Sequence, residues 1–184
     1  MIMKNRLREK YEKEVIPAMR AKFGYPSVMA VPRIEKVTVN IGAGRISVEP
    51  KFKDRIEKDL ALITGQRPAF RKARKSVSGF KVRQGMTVGF SSTLRSHRMF
   101  DFLDRLISIA LPRSRDFRGL DAKSFDQGGS LNIGIKEQII FPEISYESSK
   151  DIFSFQVNVT TTAKTREEGV ELLKLMGFPI KNNI

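Results

Sequence analysis

Arg67, Arg71, Lys72, Arg74, Lys75, Lys81 and Arg83 crowd one short stretch of the chain, and no carboxylate interrupts them. Side chains of this kind neutralise phosphates and release condensed counterions, and arginine can also fork onto two oxygens or lie flat on a base. Between Asp59 and Asp101 there is no acidic residue, and Arg95 and Arg98 bring the basic residues of that gap to nine. The net charge of +14, from 34 basic against 20 acidic residues, is therefore largely local. An ordinary solvated loop mixes signs. A one-signed stretch punctuated by Ser76, Ser78, Gly79 and Gly85, with no clear periodicity, reads as a flexible basic loop over about 71–85 that contacts nucleic-acid phosphates. Phe70 and Phe80 have the alternative of stacking on a base, but the core is the more usual place for phenylalanine and both are assigned there. Arg113, Arg115 and Arg118, with Asp116 among them, fit either phosphate binding or pairing within their own loop.

Other chemistry fails on residue type or spacing. Gly42 and Gly44 lack both the spacing and the following helix of a nucleotide-binding loop. Asp101 and Asp104 share a helix face, but beside Arg98 and Arg105 they read as solvated ion pairs, not as a metal site. His97 is the sole histidine and has no partner for catalysis, and the absence of cysteine removes thiolates, disulfides and zinc ribbons. We therefore expect no enzyme, no cofactor and no metal. A nuclease would need a metal cluster, and a peripheral membrane binder would carry its cations on an amphipathic helix. No apolar run approaches the roughly 18–20 residues of a membrane span. The opening MIMKNRLREKYEKEV lacks a secretory apolar segment, which points to the cytoplasm.

Elements that position these residues follow from hydrophobic spacing. Leu7, Tyr11 and Val15 mark a helix over roughly 4–22, strained or broken near Pro17. Val37, Val39 and Ile41 alternate with Lys36, Thr38 and Asn40 in a half-buried strand. Pro50 opens a helix whose Phe52, Ile56, Leu60 and Ile63 face the core, ending at Gly65. Residues 86–95 form a second strand, with Met86, Val88, Phe90 and Leu94 inward and Thr87, Ser91, Thr93 and Arg95 outward. Met99, Phe102, Leu103, Leu106, Ile107 and Ala110 make a helical stripe that stops at Pro112, and 112–130 reads as a long loop. Leu131, Ile133 and Ile135 begin another strand. Phe153, Phe155, Val157 and Val159 mark the next, whose other side carries Ser154, Gln156, Asn158 and Thr160. A capping box, Thr165 with Glu168, opens a helix that ends at Gly177. With 40% hydrophobic residues and no regular βαβ repeat, the chain reads as one α+β domain over 1–184: an antiparallel sheet, helices packed on one face, the other face open and polar.

The segments SVMAVPRIEKVTVNIGAG (27–44), GQRP (65–68), ARKSVSGFKVRQGMTVG (73–89), TLR (93–95), RMFDFLDRLI (98–107), PRSRDFRGLDAKSFD (112–126), GIKEQIIFPEI (134–144) and TTAKT (161–165) occur in order over most of the chain. In this series the chain resembles the bacterial large-subunit ribosomal protein family numbered five, binders of 5S ribosomal RNA. It departs from that pattern at Ser91, where a lysine is expected, and at Ser96 and His97, where a glycine and an acidic residue are usual. The resemblance implies an RRM-like fold and a place beside 5S and 23S rRNA in the central protuberance, with neighbouring 5S-associated ribosomal proteins. It implies further partners in P-site tRNA and a small-subunit head protein. On it we assign 5S rRNA binding to Lys36, Thr38, Asn40, Gln66, Thr93 and Arg95. Additional RNA contact falls to Arg98, Arg113, Arg115 and Arg118. The tRNA contact is assigned to the loop residues Arg71, Lys72, Arg74, Lys75, Ser76, Ser78, Gly79, Lys81 and Arg83.

Overall fold

The computed structural model describes residues 5–42, 50–115, 117–144 and 152–181. Five strands, β1 (Ile34–Gly42), β2 (Ala69–Lys72), β3 (Thr87–Leu94), β4 (Leu131–Ile135) and β5 (Phe155–Thr161), form one sheet in the order β2-β3-β1-β5-β4. Every neighbouring pair is antiparallel. Alternation does the sorting: Val37, Val39, Ile41, Phe90, Leu94, Ile133, Val157 and Val159 are buried on one face. They join Ile56, Leu60 and Ile63 of α3 (Pro50–Thr64), Met99, Phe102 and Leu103 of α4 (Ser96–Arg105) and Leu172 and Leu173 of α6 (Arg166–Met176) in one continuous core. This is the α+β architecture expected from the pattern. The helices cover one face, and the sequence placed β1, α3 and α6 within a residue or two of their observed bounds.

Pro17 strains the first helix without breaking it, and the helix carrying the second stripe ends at Arg113, one residue past Pro112, as expected. The first helical run passes from α1 (Arg6–Lys10) through a π-helical turn (Tyr11–Val15) into α2 (Ile16–Phe23). A second π turn, Leu106–Ala110, joins α4 to α5 (Leu111–Arg113). In each the last turn closes by a bond across five residues, Ile16 N–H to the Tyr11 carbonyl and Leu111 N–H to the Leu106 carbonyl. A proline, Pro17 or Pro112, comes next. Proline cannot donate and its ring collides with the carbonyl four residues back; the wider turn moves that carbonyl away, so the helix continues.

Two other differences bear on the site. β2 lies where the sequence suggested the beginning of a featureless loop, and pairs Phe70 with Phe90. The stretch after α5 is irregular, as expected, but anchored. Leu120 and Phe125 are buried, and Leu120 exchanges backbone hydrogen bonds with Pro179 (2.8 Å) and Lys181 (3.0 Å). α6 is seated beside it by a glycine contact: a Cβ on Gly169 would stand 2.2 Å from the Gly129 carbonyl oxygen. The expected capping box is present at Thr165 and Glu168.

Candidate nucleic-acid interface

The open face of the sheet is ordered by strand register. Thr38 of β1 lies opposite Thr93 on one side and Asn158 on the other, and Asn158 lies opposite Asn132 of β4. Four strands thus line up Thr93, Thr38, Asn158 and Asn132 in one transverse row, with the Asn158 amide donating to Asn132 Oδ1. The next row runs Ala69, Ser91, Asn40, Gln156, Gly134 across all five strands, and Lys36 pairs with Thr160 on the other flank. A shallow depression on this face is lined by Asn40, Asn132, Lys136, Ser154 and Gln156. Hydroxyls and amides presented this way donate and accept without net charge, which suits 2′-hydroxyls and base edges as well as phosphates. Lys36, Thr38, Asn40 and Thr93 are therefore brought together. Arg95 stands beside them, with an exposed ion pair to Glu35 at 3.3 Å that costs little to exchange for a phosphate. Site selection from sequence missed Asn132, Gln156, Asn158 and Thr160; the polar alternation along β5 was the available signal for the last three.

Gln66 stands at the edge of this face. Its amide donates to Ser92 Oγ and to the Thr93 carbonyl, both at 3.0 Å, and its oxygen accepts from Arg98 at 3.4 Å. Ser92 shares the helix-side face of β3 with Phe90 and Leu94, so Gln66 and Arg98 knit the rim of the core beside the open platform. Ser91 points to the open face as expected but is buried. Arg71 approaches its Oγ at 3.4 Å, so a cation stands over this position even though the side chain is a serine.

The basic stretch is a loop with an internal hydrogen-bonded, hairpin-like frame. Ala73 N–H donates to the Met86 carbonyl (2.8 Å) and Gly85 N–H to that of Ala73 (3.0 Å). Val77 and Val82 pair across it, and Ser76 Oγ accepts from Gln84 N–H at 3.0 Å. A short 3-10 turn, Ser78–Phe80, forms the tip. Arg71, Lys72, Arg74, Lys75, Ser76, Ser78, Gly79, Lys81 and Arg83 are exposed or partly exposed, and none is buried. Among the described residues none of these cations is within salt-bridge distance of a carboxylate, whereas Arg67 is tied to Glu57 at 2.7 Å and leaves the group. The core assignment fails for Phe80, which is 80% exposed. Phe70 sits at the sheet edge with one side on Phe90 (centroids 5.3 Å apart) and the Lys53 ammonium 4.9 Å from its ring centre.

Arg113, Arg115 and Arg118 all reach the surface, and Arg115 and Arg118 line a cavity with Lys136, Glu137 and Lys181. Asp116 and the pairing suggested for it lie outside the described residues. Asp101 and Asp104 are bonded as expected of surface carboxylates, but to Asn5 and Arg6, each at 2.5 Å. Arg105 stands beside them, donating to the Asp101 carbonyl at 3.4 Å, and its guanidinium also pairs with Glu143 and donates to the Ile63 carbonyl at 3.0 Å. Among the described residues no group of three or more His, Cys, Asp or Glu side chains could hold a metal ion, and no helix is long and apolar enough to cross a membrane.

A family model described as ribosomal protein L5 matches residues 27–83, and a second, describing the C-terminus of the same ribosomal family, matches 87–180. The large ribosomal subunit protein uL5 of Carboxydothermus hydrogenoformans is 53% identical over 174 residues, 95% of this chain and 97% of its own length. The protein of the same name from Syntrophomonas wolfei is 52% identical over 176 residues (96% and 99%), and that of Caldanaerobacter subterraneus 49% over 175 (95% and 98%).

Proposed function

The chain belongs to the ribosomal L5 family, and on that footing we propose that it holds 5S rRNA on the open face of its sheet. In this reading it is a structural, non-catalytic constituent of the large ribosomal subunit, working in the cytoplasm. With 23S rRNA and the neighbouring 5S-associated proteins it helps to form the central protuberance, its basic hairpin touches P-site tRNA, and it bridges to a small-subunit head protein. Residues 1–184 act as one domain. The two matched segments support this, because β1 from the first lies between β3 and β5 from the second, so neither segment completes a sheet alone.

The row of Thr93, Thr38, Asn158 and Asn132 carries the 5S rRNA reading. It is a rigid, uncharged set of donors and acceptors spanning four strands, bordered by Lys36 and Arg95. Such a surface selects by shape and hydrogen bonding, which a stable, single RNA partner rewards. Asn40→Ala or Thr93→Ala should weaken 5S rRNA binding by about 1–3 kcal/mol without loss of folding, because a polar group on the RNA is left unpaired. Filter binding with circular dichroism on the same samples measures both quantities. Wild-type affinity in both variants would move the RNA to another surface.

A further inference from the structure

The tip of the β2–β3 hairpin presents an aromatic ring that neither the core nor phosphate contact uses. Phe80 is 80% exposed, and Val77 at the base of the same turn is 44% exposed. An isolated exposed valine is ordinary, but a whole phenylalanine ring held in water is an exposed apolar group that calls for a partner. The backbone fixes it there. Phe80 N–H donates to the Val77 carbonyl at 3.3 Å and Lys81 N–H to that of Ser78 at 3.0 Å. Lys81 takes a left-handed φ of +53°, a conformation a side-chain-bearing residue adopts only under constraint. The Val77–Val82 pair closes the turn behind the ring. Phe70, the other aromatic of the segment, is already seated on Phe90 beneath Lys53, and among the described residues Phe80 has neither a ring nor a cation of this kind.

Gly79 adds a second observation. Its φ is not left-handed, and a Cβ built on it would meet nothing within 4 Å, so the fold does not require glycine there. The missing side chain leaves bare backbone beside the ring, room for a flat group to press against the tip. Every charged residue of the hairpin, Arg74, Lys75, Lys81 and Arg83 included, is cationic. An apolar pocket on a protein would have to receive the ring together with those charges. A nucleobase brings its own phosphates, so one ligand occupies the ring and neutralises the cations together.

We propose that Phe80 stacks on an unpaired base of the RNA that the hairpin engages, a sequence-tolerant wedge between flanking phosphate contacts. This rests on the reading of the hairpin as an RNA-contacting element. The chain contains no tryptophan, so Phe80→Trp introduces a unique fluorophore at the contact. The probes are a short unstructured RNA of mixed sequence and the same strand with abasic ribose at every position. The wild-type protein should prefer the base-bearing strand by roughly 5- to 100-fold, the range expected of one stacked base. Phe80→Leu should lose that preference while the slope of log K against log salt stays unchanged, since the cations remain. Phe80→Trp should keep it, with emission quenched by the base-bearing strand and not by the abasic one. If Phe80→Leu discriminates as the wild type does, or the emission of the Phe80→Trp variant is unmoved by bound RNA, the stacking is overturned. A variant with Lys72, Arg74, Lys75, Lys81 and Arg83 changed to Gln separates the two levels. Should it bind both strands with wild-type affinity and slope, the RNA-contacting reading itself falls; should it lose binding while Phe80→Leu matches wild type, only the wedge does.

Discussion

Ser96 opens α4 with a φ of +53°, a left-handed conformation that glycine enters freely and that costs other residues about 1 kcal/mol or more. Its side chain contributes no cap to the helix; the preceding Arg95 is the N-cap and has no side-chain cap bond either. The backbone here is one that suits glycine, the residue the resemblance led us to expect at this position. Ser96→Gly should stabilise the protein by about 0.5–1 kcal/mol, the relieved strain less the greater freedom glycine has when unfolded. For a chain of this size that is a rise in Tm of a few degrees at most, readable by differential scanning calorimetry. An unchanged or lowered Tm would show that the serine is not strained. The open face calls for a different kind of argument at the same scale. Lys36, Thr38, Asn40 and Thr93 were legible because strict alternation fixes which side chains point away from the core. Asn132 was not, because only the register between β5 and β4 brings it into line with Asn158. The direction of Gln66 was not legible because it lies just past α3, where no period applies and hydrogen bonds to Ser92 and Thr93 decide it.

Among the elements, those with a strong period and local end signals were readable in advance. α3 has its core stripe, the opening Pro50 and the terminal Gly65; α6 has its capping box and Gly177. The π turns and the hairpin were not readable, since a widened helical turn and a ladder of backbone bonds leave no side-chain periodicity to detect. The capping box of α6 also makes the fold sensitive to acid. Burial pushes the Glu168 carboxyl up, but the backbone N–H groups of Lys164 (2.9 Å) and Thr165 (3.4 Å) donate to it and, with the positive charge of Lys164, outweigh that, so it lies below the usual carboxylate range. A carboxylate with a depressed value in the folded state stabilises above its unfolded value of about 4.5, and the contribution is lost as pH falls through the folded value. Glu168→Ala should therefore lower stability by about 1 kcal/mol at pH 7, the usual scale of a lost cap, and by progressively less below pH of about 4. Urea midpoints of both proteins at neutral and acid pH test this. A deficit that persists undiminished in acid would mean that the lost contribution is packing, not charge.

At the scale of the whole molecule, two surfaces of different character share one sheet. The open face is uncharged along its central row and shaped by the register of four strands. The hairpin projects beyond β2 and β3, carries cations without carboxylate partners among the described residues, and ends in an exposed ring. Shape and hydrogen bonds suit a partner that stays, whereas charge contacts steer and position with little sequence information and suit one that must enter and leave in many versions. The proposed function accordingly divides the labour, with 5S rRNA on the sheet and P-site tRNA at the hairpin. Changing Lys72, Arg74, Lys75, Lys81 and Arg83 to Gln should speed tRNA dissociation from ribosomes carrying the variant, with a wider gap from wild type at low salt, where unscreened charge contributes most. The same variant should keep most of its affinity for isolated 5S rRNA. Wild-type binding to that RNA should itself weaken with salt, with a slope of log K against log salt of about −3.5 to −4.5 if on the order of five phosphates are neutralised by Lys36, Arg95 and their neighbours. The two measurements are made on one preparation of variant, by filter binding and by tRNA chase from assembled ribosomes. Loss of 5S rRNA binding as deep as that of Asn40→Ala, or tRNA release at the wild-type rate, would show that the two surfaces do not divide the work in this way.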